Sequence, residues 1–328
     1  MGGFELKLLI TCLAIWGSLL APSVHADAYP EKPIKLVVPF PAGGTVDVLA
    51  RKTAHALEAS LKQAIVIDNK TGANGAIAVE TVMRAPPDGY TMLFNSVSMT
   101  INQVIYPNVR YDILRDFIPV SEAMAQESYL LLVASDSPFQ NLSALIESAR
   151  QHPGSLNYAS PGIGNAQHLL MEMLAYKSGT KLTHIPFKGI PDMMTALLRH
   201  DVTVMLLNPL LADAHMKSGK VRAIAQVRSS TSRSSAYPEI PAISETVPGF
   251  SWTPGRFGFF FPTGTPTNIV SRMQSEIAKS VQTAELRDYL KKGGFTPVGS
   301  TSSEYSQAIQ LDLQRFTEIS RIANISVN

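Results

Sequence analysis

Strand-like and helix-like segments alternate through most of this 328-residue chain. An apolar, β-branched run at 34–40 is followed by apolar residues at helical spacing over 45–61. The same change of period recurs at 64–69 and 75–85. Strands that alternate with helices of this length form mainly parallel sheets with helices on both faces. The pattern therefore predicts an α/β fold.

The alternation begins again in the second half of the chain. Strand-like segments at 130–135 and 156–160 flank a helical segment at 142–151. A stretch rich in proline and serine, 229–254, has no period and reads as a long surface connector, and 266–322 is helical in pattern. A chain of this length can form two ordinary domains, so we predict two α/β domains, each with its own sheet.

The N-terminal segment has a different character. Lys7 precedes the apolar stretch 8–21, and the small-residue site at 24–26 ends in Ala26. This layout predicts a secretory signal peptide, residues 1–26. A membrane anchor is the alternative, but the run is short for a bilayer span of about 20 residues. The single cysteine, Cys12, lies in this segment, so the mature chain has no thiol and no disulfide.

Composition and motifs disfavour two large classes of function. The net charge is +2 and no basic run exceeds two residues, whereas nucleic-acid binding requires a concentrated basic face. The chain lacks the common nucleophile-elbow, zinc-protease and phosphate-loop motifs, and its mature histidines do not have metal-ligand spacing. We therefore predict no catalysis, no metal and no cofactor. A secreted enzyme using Ser96 or His168 is the alternative.

The loop PAGGT at 41–45 joins the first strand to the first helix. Gly43 and Gly44 allow backbone conformations in which successive N–H groups converge. The helix that follows adds unpaired N–H groups and the positive end of its dipole. Together these features predict a site for an anion. A simple tight turn accounts for the same two glycines equally well.

Three further loops follow predicted strands. They are NSVS at 95–98, SPGIGNAQH at 160–168 and FKG at 187–189. Ligands of open parallel sheets bind at the carboxyl ends of the strands. Two glycine loops that open helices in successive domains, with polar strand ends beside them, predict a cleft between domains lined by backbone donors.

Three side chains near these loops have two interpretations each. Asp47 either caps its own helix or orients the glycine loop, a bound water or a ligand amine. His168 either tethers its own helical turn or contacts the ligand. Lys188 either reaches the cleft or is solvated, which is the commoner fate of a lysine.

Several longer stretches resemble one known family. They are YPEKPIKLVVPFPAGGTVD (29–47), APPDGYTM (85–92), SLNYASPGIGNAQHL (155–169), HIPFKGIPDMMTALLRHDV (184–202) and GFFFPTGTP (258–266). In this order and spacing they resemble the tripartite tricarboxylate transporter substrate-binding proteins, also called the Bordetella uptake gene (Bug) family. The resemblance implies a two-domain periplasmic-binding-protein fold of type II that closes on a ligand.

The resemblance also implies which residues bind the ligand, largely through backbone or water. The matching positions, each transferred from a family motif, are Gly43, Gly44, Thr45, Asp47, Ser96, Ser98, Ser160, Gly162, Gly164, Asn165, His168, Phe187, Lys188, Gly189 and Asn208. To these we add Arg256, which replaces the tryptophan that the family often carries before its late aromatic-glycine pair.

Two departures from the family pattern bear on the ligand. Leu207 stands where family members commonly have aspartate, and Arg256 adds a guanidinium. If both face the pocket, it is more positive, which favours a carboxylate without an amino group, such as a di-, tri- or aromatic acid. The alternative is that Arg256 points to solvent.

These observations predict an exported, monomeric, periplasmic protein that binds a small carboxylate. We predict domain I at 27–126 plus 250–328 and domain II at 127–249. The resemblance implies delivery to a two-subunit membrane permease. Signalling to a sensor kinase of a two-component system is the alternative.

Overall fold

A computed structural model of the chain describes residues 29–230 and 232–322. The predicted signal peptide, residues 1–26, lies outside the described residues. Among the helices that are described, none combines the length and the apolar character that a membrane crossing requires.

Eleven strands and eleven α-helices are described. The strands are β1 (Ile34–Val38), β2 (Ile65–Asn69), β3 (Thr91–Ser96), β4 (Phe117–Gln126), β5 (Ser128–Ala134), β6 (Asn157–Ser160), β7 (Thr183–Pro186), β8 (Val204–Leu207), β9 (Val221–Arg228), β10 (Gly255–Pro262) and β11 (Phe295–Pro297). The helices are α1 (Thr45–Leu61), α2 (Ala76–Met83), α3 (Ser98–Ile105), α4 (Leu142–Gln151), α5 (Ala166–Ser178), α6 (Ile190–Leu198), α7 (Pro209–Lys217), α8 (Ile243–Thr246), α9 (Thr267–Val281), α10 (Ala284–Lys292) and α11 (Ser302–Ile322).

The strands form two sheets, which define two lobes. The first sheet has six strands in the order β11-β4-β10-β3-β1-β2, and the second has five in the order β7-β6-β8-β5-β9. Strand β1 lies between β2 and β3 and is parallel to both, whereas β10 is antiparallel to its neighbours β3 and β4. In the second sheet β6 has parallel neighbours and β5 has antiparallel ones. Both sheets are therefore mixed, where the alternation alone predicts mainly parallel strands.

The chain passes between the sheets twice. Strand β4 of the first sheet is separated from β5 of the second by Glu127 alone. The return runs from β9 through the proline- and serine-rich connector to β10. We call the first sheet with helices α1–α3 and α9–α11 lobe 1, and the second sheet with helices α4–α8 lobe 2, each with its connecting loops. The residue boundaries predicted for the two domains remain a prediction.

The spacing of apolar residues in the sequence matches the residues that are buried in β1 and α1. In β1 the residues Ile34, Leu36, Val37 and Val38 are buried, because helices cover both faces of the strand. The apolar stripe of α1 is buried against the same sheet, and its polar stripe faces solvent. The carboxyl ends of the central strands then turn into loops and helix starts at one edge of each sheet.

Three elements that the period does not predict contribute to the site. They are α3, β4 and α7. Helix α3 has only 8 residues and most of its side chains are buried, so it lacks the polar stripe that marks a helix in sequence. Strand β4 contains Pro119 and Glu122, which are both unusual in a buried strand.

Candidate functional site

A cavity lies between the two lobes at the ends of the strands. Its lining residues come from both lobes and are Phe40, Pro41, Gly44, Thr45, Val46, Ser96, Val97, Ser98, Gln126, Tyr129, Pro161, Asn165, Ala166, Gln167, Gly189, Ile190, Asn208 and Phe257. The cavity leaves about 40 Å³ for the centres of water molecules. That is room for about three water molecules.

Five helices begin at this cavity. The residues that precede α1, α3, α5, α6 and α7 all line it, and they are Gly44, Val97, Asn165, Gly189 and Asn208. The first-turn N–H groups of a helix have no acceptor within the helix, and its dipole places positive charge at that end. Five such ends around one small space make the cavity electropositive.

The positive potential does not come from ionised side chains. None of the described residues that line the cavity is Asp, Glu, Lys, Arg or His. The walls are apolar at Phe40, Val46 and Phe257, and the polar groups are hydroxyls, amides and backbone. The cavity can therefore hold an anion by neutral hydrogen-bond donors, with an apolar body against its walls.

Tyr129 adds a side-chain donor to this set. It is only 4% exposed, and its hydroxyl makes no hydrogen bond with the described residues, although it lines the cavity. Burial raises the pKa of Tyr129, so the hydroxyl keeps its proton at neutral pH. A protonated hydroxyl without a partner in a buried cavity is suited to donate to a ligand.

The first glycine loop is held in shape by Asp47. The Gly43 N–H donates to Asp47 Oδ2 over 3.0 Å. The same carboxylate accepts from Arg51 Nε at 3.0 Å and from Asn69 Nδ2 at 2.9 Å. Burial pushes the pKa of Asp47 upwards, but the hydrogen bonds from Arg51, Gly43 and Asn69 outweigh it and lower the pKa below its ordinary value. Asp47 does not line the cavity.

The second glycine loop is held in shape by His168. The Gly164 N–H donates to Nδ1 of His168 over 3.2 Å, which requires an unprotonated Nδ1. Burial lowers the pKa of His168 to about 4, so the ring is neutral. It stacks on His184, with ring centroids 4.2 Å apart.

A serine and a histidine lie in contact behind this loop. Ser160 Oγ is 2.6 Å from His184 Nε2, which is the distance of a nucleophile–base pair. Ser160 is fully buried, however, and it is absent from the cavity lining. Its hydroxyl also bonds the carbonyl oxygen of Gly162 at 2.9 Å, so the pair shapes the loop.

The lobes touch directly around the cavity. Asn208 Nδ2 donates to Thr45 Oγ1 over 2.7 Å, and Asn165 Nδ2 donates to Ser98 Oγ over 3.1 Å. A Cβ atom added to Gly189 would lie 2.4 Å from Pro41 Cγ of the other lobe. The structure therefore describes a closed arrangement of the lobes.

The predicted site residues fall into three groups. Seven line the cavity, and they are Gly44, Thr45, Ser96, Ser98, Asn165, Gly189 and Asn208. Six lie behind it and shape its loops, and they are Gly43, Asp47, Ser160, Gly162, Gly164 and His168. Phe187, Lys188 and Arg256 are outside the lining. Phe187 packs on the lobe 2 core, and Lys188 is exposed.

Arg256 is engaged elsewhere. Its Nε donates to Asp312 Oδ2 at 2.8 Å and its Nη1 to Glu122 Oε2 at 2.7 Å. Leu207 is fully buried in the lobe 2 core. The condition attached to the sequence hypothesis, that both residues face the pocket, is not met. The charge argument for an amine-free ligand therefore fails in that form.

Sequence reasoning does not find the remaining lining residues. Several lie inside the loops that the sequence singles out, but no binding role is predicted for them, as at Pro41, Val97 and Pro161. Gln126 and Tyr129 give no such signal, because they lie on the crossing strands β4 and β5. Within the described residues, no three His, Cys, Asp or Glu side chains gather as ligands of a metal ion would.

Comparison with known proteins adds sequence relatives. The family model described as tripartite tricarboxylate transporter family receptor matches residues 49–325. A UPF0065 protein from the tcbD–tcbE intergenic region of a Pseudomonas strain is 34% identical over 298 residues, covering 89% of this chain and 87% of that protein. BugT of Bordetella pertussis is 32% identical over 306 residues, covering 92% of each.

Solved structures agree with the fold. A structure of an R. palustris protein with adipate superposes with a TM-score of 0.86 at 30% identity, covering 91% of this chain and 99% of that one. MatC from Rhodopseudomonas palustris with bound malate gives a TM-score of 0.81 at 27% identity, covering 89% of this chain and 99% of that one. These similarities confirm the predicted two-lobed α/β fold of periplasmic binding proteins.

Proposed function

This chain belongs to the tripartite tricarboxylate transporter receptor (TctC, or Bug) family, and from that premise we propose that it captures a small organic carboxylate between its lobes in the periplasm and delivers it to a two-subunit membrane permease. The family is one of periplasmic solute-binding proteins and is not an enzyme family. The carboxylate and the permease are the proposed parts.

The observation that carries the proposal is the set of five helix starts around a cavity without ionised side chains among its described lining residues. Helix N-termini stabilise negative charge, and converging N–H groups match carboxylate oxygens. Relatives of the same fold contain adipate and malate, which are both carboxylates.

The lining also bears on the rest of the ligand. An ammonium group buried here would have no carboxylate to pair with, because no described lining residue is Asp or Glu. A buried charge without a partner is strongly unfavourable. Apolar walls at Phe40, Val46 and Phe257 suit a hydrocarbon or aromatic body. We therefore propose a di- or aromatic acid without an amino group.

Calorimetric titration of the mature protein tests the proposal. The panel is adipate, malate, succinate, benzoate and aspartate, where aspartate is succinate with an added amine. We expect at least one acid to bind, and succinate to bind more tightly than aspartate. If none of the acids binds, the carboxylate proposal is wrong. If aspartate binds more tightly than succinate, the amine-free class is wrong.

Trp252 supplies a second readout of binding. It is the only tryptophan outside the predicted signal peptide, is 7% exposed and packs edge-on against Tyr129 with centroids 6.0 Å apart. We expect its fluorescence to change when an acid binds beside Tyr129.

Uptake and two-component reporter assays in a deletion strain then distinguish transport from signalling.

A further inference from the structure

Two asparagines of lobe 2 occupy equivalent positions at the cavity. Asn165 precedes α5 and Asn208 precedes α7. Asn165 Oδ1 accepts from the Gln167 N–H at 3.1 Å, and Asn208 Oδ1 accepts from the Leu211 N–H at 3.1 Å. Both side chains are buried, with 6% and 1% of their residue surface exposed. Each is therefore the N-cap of its helix.

The capping bond fixes the orientation of each amide. A helix N–H can only donate, so the oxygen of the asparagine must face it and the NH₂ group must face away. The NH₂ group then reaches the other lobe, where Asn165 donates to Ser98 Oγ and Asn208 donates to Thr45 Oγ1. Each asparagine thus links a helix start of lobe 2 to a hydroxyl of lobe 1.

This link leaves the protons of the Ser98 and Thr45 hydroxyls free to be donated. A hydroxyl that accepts a hydrogen bond still has its own proton to donate. Ser98 Oγ accepts a second bond, from Ser96 Oγ at 3.1 Å, which uses more of its acceptor capacity. Among the described residues, neither the Ser98 nor the Thr45 hydroxyl donates a hydrogen bond, and both residues line the cavity. Their protons are therefore available to a carboxylate in the cavity.

We propose that Asn165 and Asn208 are positioning residues for carboxylate binding, each of which turns a hydroxyl of the opposite lobe into a donor when the lobes close. The inference rests on the proposed function. Because the asparagine and its hydroxyl lie on different lobes, separation of the lobes breaks the link and frees the hydroxyl to rotate. The complete set of donors then exists only in the closed protein, which favours closure around an anion.

A double-mutant cycle at the Asn208–Thr45 pair tests the inference. Asn208→Ser keeps a capping oxygen for α7 but removes the NH₂ group that reaches Thr45. Thr45→Val removes the hydroxyl with little change in volume. We expect each single change to weaken binding by about tenfold, since a hydrogen bond to a charged group is lost. If Asn208 acts through Thr45, the double variant is no weaker than either single variant.

The control is Asn141→Ser. Asn141 caps α4 through a bond of 2.9 Å from the Ala144 N–H, and it is exposed. This change tests the loss of an N-cap amide without any link to the cavity, so we expect the affinity to stay the same. Melting temperatures of all variants show whether capping is preserved.

The titrations use adipate, malate, succinate and benzoate. If the wild-type protein binds one of them and the effects of Asn208→Ser and Thr45→Val add up, the positioning role is wrong while the proposed function stands. If the wild-type protein binds none of the four, the proposed function fails and this inference fails with it. Thr45→Ser, which keeps the hydroxyl that Asn208 contacts, is expected to lose less affinity than Thr45→Val.

Discussion

The two glycine loops of the site use the same backbone geometry and opposite side-chain chemistry. Gly43 in lobe 1 and Gly164 in lobe 2 have φ values of 80° and 77°. In each loop the glycine N–H donates to a side chain four residues later, in the first turn of the following helix. The acceptor is the carboxylate of Asp47 in one loop and the neutral imidazole of His168 in the other.

The surroundings of each loop account for the choice of acceptor. Asp47 has Arg51 beside it, whose side chain is 51% exposed and brings a compensating charge from the solvent side. His168 lies among Tyr158 and His184 in the interior, where an unpaired carboxylate would be costly. One loop thus has a neutralised ion pair behind it and the other an uncharged ring.

The difference has one consequence for binding. Neither acceptor adds net charge close to the cavity, so the helix starts determine its potential. Gly164 is buried, so its N–H without an acceptor would cost about 1–3 kcal/mol, whereas Gly43 is exposed and water reaches its loop. Both acceptors, Asp47 and His168, hold the backbone of their loop in place without weakening the attraction between the helix starts and an anion.

The largest effect is expected from Gly164→Ala compared with Gly43→Ala. Both changes place a Cβ at a similar positive φ, which costs about 1–2 kcal/mol of folding stability. A Cβ on Gly43 meets no atom within 4 Å, whereas one on Gly164 would lie 2.1 Å from Cδ1 of Ile105 in the other lobe. We expect Gly164→Ala alone to weaken the binding of the tightest acid in the panel by about tenfold or more, because it holds the lobes apart.

A second substitution isolates the contact. Ile105→Val removes the Cδ1 atom and should restore most of the affinity that Gly164→Ala loses. If Gly43→Ala weakens binding as much as Gly164→Ala, or if Ile105→Val gives no recovery, the two loops do not differ in their contact across the cleft. Calorimetry and the melting temperature separate affinity from stability in each case.

The next largest effect is expected at Asp47, which holds the first glycine loop. Asp47→Ala removes the acceptor of Gly43 and the partner of Arg51, so we expect a loss of roughly 2 kcal/mol in the free energy of unfolding. Asp47→Asn keeps an oxygen for the Gly43 N–H and should lose less than half of that amount. Urea unfolding of the two variants measures this. Equal losses would mean that the ion pair, and not the bond to Gly43, stabilises the loop.

As the pH falls, the contribution of His168 to folding stability should be lost before that of Asp47. The pKa of His168 is about 4 in the folded protein and about 6.5 in the unfolded chain. Between these values the unfolded state binds the proton and the folded state does not, so stability falls as the pH drops from 6.5 towards 4. Asp47, whose folded pKa lies below its ordinary value, keeps its contribution above pH 3.8 and loses it only at lower pH.

His168→Gln measures the share of His168 in this loss. We expect its stability to fall less than that of the wild type between pH 7 and pH 5, by on the order of 1–2 kcal/mol. The loss does not vanish, because burial and the neighbouring His168 lower the pKa of His184 to about 3. His152→Gln, at an exposed histidine, is the control. If stability falls equally with pH in the wild type, His168→Gln and His152→Gln, protonation of His168 does not cause the loss.

The comparison also indicates how far sequence reasoning reaches. Apolar spacing predicts the helices at 45–61 and 142–151 to the residue, because local burial sets that spacing. The two loops are predictable because a strand that turns directly into a helix needs backbone conformations that glycine adopts readily. The bond from Gly43 to Asp47 matches one of the two interpretations of that side chain, since its donor and acceptor are four residues apart.

Contacts distant in sequence could not be predicted. Arg256 pairs with Asp312 and Glu122, which are 56 and 134 residues away, so no local pattern indicates that its charge is already neutralised. Tyr129 lines the cavity only because two strands from different sheets meet there. Its place depends on how the lobes pack, and periodicity contains no information about that packing.

The smallest effect is expected at Arg51. Its guanidinium is half exposed, and ion pairs at exposed positions contribute about 0–1 kcal/mol because water screens them. Arg51→Gln should therefore lower the free energy of unfolding by less than about 1 kcal/mol in low salt and by less still in high salt.

Affinity for the acid should fall slightly, because the unpaired carboxylate of Asp47 then repels an anion. A fall in affinity that disappears in high salt would show that Arg51 matters to the site by cancelling the charge of Asp47, a charge that His168 in the other loop never carries. An affinity that stays the same at every salt concentration would mean that Asp47 lies too far from the bound anion for its charge to matter.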